Sequence, residues 1–242
     1  MERRSTVAIR QYEEKDQQNV IYVFKDSYLD LLKPTFQRHM SYTRFTNVFL
    51  LALFFYLSFF VYNSVLLFVV LVAMVPIAYI IIIYKMRKER ICERLTSDLK
   101  DIKTTYIDSE SGNFWVAVYD GQIVGTVALV FKEFEGCGIQ PQLTTLYVLK
   151  KYRRLGIGAK LMNKAVQYAN EHQFSCIFLR TGEDHQEARK LYRKTGFVKI
   201  REYVVNYNVL ISRTITTYVL NLKPNVDDVV TVVQDTSSIK RK

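Results

Sequence analysis

Hydrophobic and polar residues are sharply segregated along this chain. A stretch of 40 residues, Phe45–Tyr84, carries no charged side chain and consists mainly of Phe, Leu, Val and Ile. A membrane-spanning helix needs about 20 apolar residues, so this stretch is long enough for two. The step Tyr62-Asn63-Ser64 near its middle is typical of a turn. We therefore predict an apolar membrane hairpin, with helices over roughly Phe45–Tyr62 and Val65–Tyr84, that crosses a bilayer twice or re-enters it.

Outside this stretch, apolar residues recur with the spacings of strands and helices. The predicted order is strand, helix, apolar hairpin, helix, three strands, helix, strand, helix and two strands. This order predicts an α/β (α+β) fold with a mixed central sheet flanked by helices. The predicted strands are Val7–Arg10, Phe114–Tyr119, Gln122–Phe131, Leu143–Leu149, Ser175–Arg180, Phe197–Asn206 and Thr214–Leu222. The predicted helices are Glu13–Leu32, Lys85–Lys103, one that starts near Ile157, and Asp184–Lys194.

The same pattern divides the chain into segments. Residues 1–44 supply the first strand and helix of a folded domain, 45–84 form the hairpin, 85–223 complete the domain, and 224–242 form a C-terminal tail. The dipeptide Asp120-Gly121 predicts a tight turn between two strands. Two glycines and a proline within Glu133–Pro141 predict a loop there.

The net charge is concentrated around the apolar stretch. It is +11, from 34 Lys and Arg against 23 Asp and Glu, and no acidic residue lies between Asp30 and Glu89. Basic residues on both flanks predict that both ends of the hairpin face the cytosol. No nucleic-acid-binding motif is recognisable, so we expect no nucleic-acid partner. Three separated cysteines and three histidines have no metal-ligand spacing, so we expect no metal.

A basic turn containing glycines follows the predicted strand Leu143–Leu149. It has the sequence Arg153-x-x-Gly156-x-Gly158 and lies just before an amphipathic helix. The amides and partial positive charge at the start of a helix bind phosphate, and glycines let a ligand approach the backbone. We therefore predict a pyrophosphate site across residues 154–159. A basic surface turn with glycine hinges would have the same sequence pattern.

Three motifs together resemble the GNAT superfamily of N-acetyltransferases. In chain order they are Ile9-Arg10-x-Tyr12-x-x-x-Asp16, Arg153-x-x-Gly156-x-Gly158 and Ala188-x-x-Leu191-Tyr192-x-x-x-Gly196-Phe197. They are similar to the first strand and helix, the acetyl-CoA pyrophosphate loop, and the later helix-to-strand signature of that superfamily. An apolar segment inserted after the first helix resembles the camello-like, membrane-bound branch. That branch includes aspartate and cysteine-S-conjugate N-acetyltransferases.

This resemblance implies a GNAT-like fold and a membrane-anchored enzyme that transfers acetyl from acetyl-CoA to a primary amine by direct attack. It also implies residence in the endoplasmic reticulum membrane, with the catalytic domain and both termini in the cytosol and the hairpin in the lipid bilayer. The acceptor is left open between an amino acid, a cysteine S-conjugate and a protein lysine. The sequence equally leaves open whether the chain forms a homo-oligomer.

The resemblance also implies roles for individual residues. Tyr192 matches the tyrosine that gives a proton to the departing thiolate, although a core tyrosine would fit the same helix face. Glu133 and Glu135, just after the third predicted strand, are candidates for the base that deprotonates the amine. Ordinary solvated carboxylates are the simpler interpretation of both. The residues expected to hold acetyl-CoA are Tyr147, Val148, Arg153, Arg154, Leu155, Gly156, Ile157, Gly158 and Ala159.

One position departs from the camello-like pattern. Glu183 stands where that branch usually has an Asn before the Ala of the later helix. This departure and the undetermined base keep a second hypothesis open, a catalytically inactive membrane scaffold with the same fold. A channel or transporter is disfavoured, because two apolar helices without an intramembrane charge offer no pathway.

Overall fold

The structure is a computed structural model that describes residues 6–108, 112–206 and 212–223. The chain forms two compact units. The first combines Met1–Ser27 with Arg94–Lys242, and the second is Tyr28–Glu93. The predicted C-terminal tail, residues 224–242, lies outside the described residues.

A mixed sheet forms the centre of the first unit. Its strands are β1 Ala8–Gln11, β2 Gly112–Tyr119, β3 Gln122–Phe134, β4 Gly138–Val148, β5 Cys176–Gly182, β6 Val198–Asn206 and β7 Ser212–Asn221. Their order in the sheet is β1-β2-β3-β4-β5-β7-β6. The β4–β5 pair is parallel, and the other neighbouring pairs are antiparallel. The sheet confirms the predicted mixed fold.

Helices flank the sheet and form the second unit. They are α1 Gln17–Leu29, α2 Leu32–Tyr42, α3 Arg44–Tyr56, α4 Val65–Thr96, α5 Ile157–Glu171 and α6 Gln186–Lys194. Pro34 lies in the first turn of α2, where a helix tolerates proline because the missing N–H would have no partner. The helix predicted over Glu13–Leu32 is α1, which ends at Leu29, so Pro34 does not terminate it. The helix α2, which contains this proline, was not predicted.

The first sequence motif fixes the junction between β1 and α1. Arg10 donates two hydrogen bonds to the carboxylate of Asp16, at 2.6 and 2.8 Å. The same carboxylate accepts the amide of Glu13 at 2.9 Å, and the Tyr12 hydroxyl donates to Gln17 at 2.7 Å. The chain is therefore held where it leaves the strand and starts the helix.

The core of the first unit lies between α5 and the sheet. The helix buries one face, at the spacing that the sequence predicts, with Leu161, Met162, Ala165 and Ala169 fully enclosed. These side chains pack in one cluster with Val127, Leu129, Ile177 and Leu179 of the strands. Each large apolar side chain buried in this way stabilises the fold by about 1.5–3 kcal/mol. The packing fixes the start of α5 against the sheet.

Residues 133–141 differ from their prediction. β3 continues to Phe134 and β4 begins at Gly138, so a short turn joins two long strands. Gly136 and Gly138 have φ values of +76° and +67°, a conformation that suits glycine in a turn. Pro141 lies within β4 and is paired with β3. The predicted loop over Glu133–Pro141 is therefore wrong, because its glycines make the turn and the other residues extend the strands.

The second unit contains the apolar hairpin. α3 continues through a wider helical turn at Leu57–Val61, and the helix then breaks before α4. Asn63 has φ +46° at this break, where the sequence predicts a turn. On the two sides of the break, the rings of Phe59 and Phe68 lie 5.8 Å apart. The apolar stretch thus folds back on itself.

The two ends of the hairpin also meet within this unit. Near the end of α4, Arg87 donates a hydrogen bond to the hydroxyl of Thr35 and lies over the ring of Tyr28, 4.8 Å from its centroid. The chain therefore leaves along α2 and α3 and returns along α4. The helix predicted over Lys85–Lys103 is confirmed from Lys85 to Thr96, where it continues α4, but it ends at Thr96 instead of Lys103.

α4 is long and apolar enough to cross a membrane, and within the described residues no other helix meets that test. The run Thr46–Val61 is apolar but shorter. Large apolar side chains of both helices are exposed, among them Phe49 at 67%, Phe60 at 74% and Leu66 at 75%.

Candidate active site

β4 and β5 separate and leave a gap in the sheet. In the described residues their pairing is confined to Gln142 and Phe178. On the other side of β4, the amide of Leu149 donates to the carbonyl of Val124 at 2.9 Å. Successive amides of a strand point to opposite edges, so the N–H of Val148 points away from β3 and into the gap. The gap therefore presents a main-chain donor.

The glycine turn joins the end of β4 to the start of α5. Arg154 has φ +67°, and Gly156, at the N-cap of α5, has φ +75°. The helical ladder begins where the amide of Lys160 bonds to the carbonyl of Gly156 at 3.0 Å. The three amides of Ile157–Ala159 precede this first bond and have no partner within the helix. Their N–H groups and the helix dipole give the turn the electrostatics of an anion site.

Two glycines let three elements meet behind this turn. A Cβ added to Gly158 would lie 3.2 Å from Leu191 of α6 and 4.0 Å from Val148 of β4. One added to Gly125 of β3 would lie 3.0 Å from the carbonyl oxygen of Tyr147. Larger side chains at either position would push α5, α6 or β4 apart. The glycines are therefore needed for the close packing of these elements, whether or not a ligand is bound at the turn.

The basic residues of the turn are placed differently from one another. Arg153 is half-buried, and its Nε donates to the carbonyl oxygen of Val148 at 3.0 Å, which braces the turn against β4. Arg154 is exposed and forms an ion pair with Glu187 of α6 at 2.8 Å. Leu155, the next residue after Arg154, is also exposed. Arg154 therefore presents charge at the surface of the turn, while Arg153 holds its shape.

Tyr192 is buried in α6 beside this turn. Its ring lies 6.0 Å from the rings of Phe197 and Tyr218, and the residue is 6% exposed. Burial, and after it the neighbouring Tyr147 and Tyr218, raises the pKa of Tyr192. The hydroxyl therefore keeps its proton at neutral pH and is available as a donor.

The structure does not bring Glu133 and Glu135 to the turn. Glu133 pairs with Ile139, eight residues along β3 from Gly125, which is the partner of Val148. Eight strand residues span about 26 Å. Glu135 lies in the β3–β4 turn, where its carboxylate accepts a hydrogen bond from Arg201 at 2.9 Å. Both carboxylates are therefore at the opposite end of the β3–β4 hairpin from the glycine turn.

The sequence reasoning missed a polar cluster on the other side of β4. Arg94 donates to Asp98 at 2.7 Å and to the hydroxyl of Thr145 at 2.9 Å. The hydroxyl of Tyr106, which is buried, donates to the same carboxylate at 2.5 Å. Phe24 links this cluster to the gap, because it lies beneath the Arg94 guanidinium and against the ring of Tyr147 at 5.4 Å. The i, i+4 spacing of Arg94 and Asp98 could have predicted their ion pair. It could not have predicted the contact with Thr145, which is distant in sequence.

Glu183 has a structural partner. Its carboxylate accepts the amide of Thr214 at 2.8 Å, and its own amide donates to the Thr214 carbonyl at 3.2 Å. These bonds continue the β5–β7 ladder beyond its last strand pair. Glu183 therefore reinforces the sheet at this point.

The three cysteines are free thiols, with Cys92 exposed, Cys137 half-buried and Cys176 buried. Burial, with a smaller contribution from Cys137, raises the pKa of Cys176 to about 12, so this thiol stays protonated. Among the described residues, no His, Cys, Asp and Glu side chains form a group of three or more that could hold a metal ion.

Comparison with known proteins identifies the family. A model of the acetyltransferase (GNAT) family matches residues 81–197. The chain is 31% identical to N-acetyltransferase 8F1 of Mus musculus, over 82% of this chain and 89% of that protein. The chain belongs to the GNAT family. It is also 33% identical to probable N-acetyltransferase camello of Xenopus tropicalis, over 53% of this chain and 59% of that protein.

Solved GNAT structures share the fold. A putative acetyltransferase from Salmonella typhimurium, yncA, solved with its cofactor acetyl-CoA, superposes with a TM-score of 0.53 at 10% identity. The match covers 91% of this chain and 96% of that one. Family membership makes the protein an acyltransferase and confirms the resemblance to N-acetyltransferases.

Proposed function

We propose that this protein is a membrane-anchored N-acetyltransferase that transfers acetyl from acetyl-CoA to a primary amine by direct attack. The observation that carries the proposal is the convergence of the glycine turn, the gap beside β4, and Tyr192. Gly158 packs against both Val148 and Leu191, and Leu191 immediately precedes Tyr192. An elongated donor seated on the turn would therefore pass both the Val148 amide and the Tyr192 hydroxyl.

The glycine turn is suited to hold the pyrophosphate of acetyl-CoA. The amides across residues 154–159 include those that precede the helical ladder, and they attract phosphate oxygens through hydrogen bonds and the helix dipole. Arg154, Lys150 and Lys151 add positive charge around them. Arg153 serves indirectly, because its bond to the Val148 carbonyl holds the turn beside the gap.

The gap supplies two groups with chemical roles. Acetyl-CoA provides the acetyl thioester. The N–H of Val148 would donate to its carbonyl oxygen, and removal of one such donor costs about 10²–10³-fold in turnover in other enzymes. The hydroxyl of Tyr192 would pass its proton to the sulfur as the thiolate leaves, a contribution of about 10²–10⁴-fold. A tyrosine hydroxyl carries its proton at neutral pH, and burial raises the pKa of Tyr192 further.

The acceptor must lose a proton before its nitrogen attacks. Glu133 and Glu135 lie at the far end of the β3–β4 hairpin, and Arg201 already binds Glu135. Loss of the acceptor's proton to water in the gap therefore fits the site better than transfer to either carboxylate.

The hairpin is suited to anchor the enzyme in a bilayer. The apolar part of α4, Val65–Tyr84, would be about 30 Å long, which matches the thickness of the hydrocarbon core. The run Thr46–Val61 would be about 24 Å long, so it spans only where the bilayer thins, and the alternative is a hairpin that re-enters the same side. The exposed Phe and Leu side chains of both helices are the surface that a lipid environment would cover.

Both ends of the hairpin belong on one side of the membrane. β1 precedes the hairpin and β2 follows it, yet the two strands pair, with Ile9 opposite Ala117. The flanking basic residues favour the cytosol for that side. The resemblance to camello-like enzymes supports the endoplasmic reticulum as the membrane. We therefore place the catalytic domain and both termini on the cytosolic face of that membrane.

The acceptor remains one of three amine classes: an amino acid, a cysteine S-conjugate or a protein lysine. The deciding experiment measures transfer from radiolabelled acetyl-CoA to a panel of these acceptors, using membranes that contain the protein. Gly158→Glu places a carboxylate against the phosphate seat and should abolish transfer. Asn163→Glu adds the same charge on the exposed side of α5 and should leave transfer intact. Transfer that survives Gly158→Glu would contradict the proposed cofactor site.

A further inference from the structure

Thr145 has a backbone conformation that its side chain disfavours. Its φ is +54°, in the left-handed region that a β-branched residue rarely adopts. Such conformations persist where the surroundings hold them, and they are concentrated at functional sites. Thr145 is buried in β4, three residues before Val148, whose N–H points into the gap. The strained residue is thus next to the proposed reaction site.

This residue lies in a β-bulge. Val127 of β3 faces two residues of β4, Thr145 and Leu146, where a regular ladder has one. In bulges of this kind the left-handed position is usually taken by glycine, which has no Cβ to clash. Threonine at this position therefore needs support from its neighbours.

The bulge decides the direction of the Val148 N–H. With the extra residue present, the carbonyl of Val124 accepts the amide of Leu149. Without it, the register would move by one residue, and Val148 would take the place of Leu149 opposite Val124. The Val148 N–H would then be used in the β3–β4 ladder. The donor in the gap thus exists only while the bulge is kept.

Hydrogen bonds from two sides hold Thr145 in place. The guanidinium of Arg94 donates to its hydroxyl at 2.9 Å, and the hydroxyl of Thr126 donates to its carbonyl at 2.8 Å. Arg94 is itself fixed by Asp98 at 2.7 Å, and Tyr106 binds the same carboxylate. Asp98 and Tyr106 therefore orient the guanidinium that supports the strained residue.

We propose that Arg94 is a positioning residue that keeps Thr145 left-handed and thereby directs the Val148 N–H at the acetyl carbonyl oxygen. Asp98 and Tyr106 assist by fixing the guanidinium. Arg94 acts through Thr145 and touches neither acetyl-CoA nor the acceptor. This inference rests on the proposed function, because it concerns the same gap.

The test uses two ways of removing the support and one way of making it unnecessary. Arg94→Met removes the donor, and Thr145→Val removes the acceptor while keeping the branched side chain. Each should lower kcat by about tenfold to a hundredfold, because the Val148 donor is misdirected. The Kd for acetyl-CoA should change less than about twofold, because the phosphate seat is separate.

Glycine at position 145 provides the rescue. Thr145→Gly also lacks the hydroxyl, but glycine adopts the left-handed conformation without help. Its kcat should therefore exceed that of Thr145→Val by about tenfold, and Arg94→Met should cost less than about threefold in this background. Equal kcat values for Thr145→Gly and Thr145→Val would overturn the proposal. So would an equal cost of Arg94→Met in both backgrounds, or a rise in acceptor KM with kcat unchanged.

A readout without acetyl transfer separates this inference from the proposed function. In purified protein, Thr145→Gly should raise Tm when Arg94 is Met and should raise it less, or lower it, when Arg94 is present. Additive Tm changes would show that Arg94 does not hold Thr145. A wild-type protein that transfers no acetyl would instead refute the proposed function, and the Tm comparison would still decide the role of Arg94.

Discussion

Tyr192 owes its proposed role to its hydroxyl group and to its position beside the glycine turn. Burial raises its pKa and keeps the hydroxyl protonated beside the glycine turn. Tyr192→Phe removes only that hydroxyl, so we expect kcat to fall by about a hundredfold while the Kd for acetyl-CoA is unchanged. Steady-state kinetics with acetyl-CoA titration measures both quantities.

A second tyrosine serves as the control for this substitution. Tyr168 lies on the same helix as Gly158 but near its other end, where its ring packs on Trp115. Tyr168→Phe should leave kcat unchanged. Equal turnover of Tyr192→Phe and the wild type would leave Tyr192 as a packing residue.

We predict that Asp16 makes the stability of the domain depend on pH. Burial opposes its ionisation, but hydrogen bonds from Arg10 and from the Glu13 amide outweigh burial, so the pKa of Asp16 lies below its usual value. The carboxylate therefore stabilises the fold above about pH 4, the usual unfolded-state pKa, and this contribution is lost as pH falls through the folded-state pKa. Asp16→Asn should cost about 2 kcal/mol at pH 7.

Thermal unfolding between pH 7 and pH 3 measures this contribution. The Tm difference between the wild type and Asp16→Asn should be large at pH 7 and should narrow progressively as pH falls below about 4. Asp120→Asn, in the exposed β2–β3 turn, is the matched control and should follow the wild type throughout. A Tm difference that is the same at every pH would show that the charge of Asp16 is not involved.

At the scale of single residues, the sequence reached the parts of the site that are local. The spacing from Arg153 to Gly158 is read directly from the chain, and so is the position of Tyr192. The polar cluster was not predictable, because Arg94 meets Thr145 51 positions away. Nothing in the sequence indicated the positive φ of Thr145 either, since threonine is among the residues least expected in the left-handed region.

At the scale of elements, the length of the β3–β4 hairpin places the carboxylates of Glu133 and Glu135 far from the glycine turn. Glu133→Gln and Glu135→Gln should therefore each retain kcat within about twofold and keep the same pH profile. A large loss of kcat with a shifted acidic limb in either variant would instead identify that residue as the base. This prediction is checked by measuring pH–rate profiles of both variants and of the wild type.

The turn between α3 and α4 gives a direct test of membrane topology. Because the apolar part of α4 matches the hydrocarbon thickness, we expect Asn63 to reach the lumenal side. In sealed microsomes, Asn63→Cys should gain one more maleimide-induced gel shift than the parent protein, but only after permeabilisation. Asn170→Cys, exposed near the end of α5, should gain its shift without permeabilisation. Labelling of Asn63→Cys in sealed vesicles would indicate a re-entrant hairpin.

Local turn signals explain both the success and the failure of element prediction. Asp120-Gly121 predicted the β2–β3 turn correctly, since both residues have the positive φ that this dipeptide favours. Gly136 and Gly138 also mark a turn, but Pro141 made the neighbouring residues look like loop. The proline is accommodated inside β4, which the sequence pattern alone does not reveal.

At the scale of the whole molecule, the sequence predicted the mixed sheet and the interruption of the domain by an apolar segment. The alternation of strands and helices fixes which elements can share a sheet, and the charge-free stretch marks the interruption. The separation of β4 from β5 depends on the packing of non-adjacent elements, and no pattern along the chain indicates it.

The pairing of β1 with β2 sets an order for the biogenesis of this protein. While the ribosome makes the hairpin, β1 and α1 have already emerged and have no sheet to join. In the proposed membrane-anchored protein, insertion of the hairpin would bring Arg87 back to Thr35, so the loop that must close between β1 and β2 would become effectively shorter. Each halving of that loop lowers the entropic cost of closure by about 0.6 kcal/mol. The bilayer would then act as a folding template, and the catalytic sheet would be completed only after the anchor is in place.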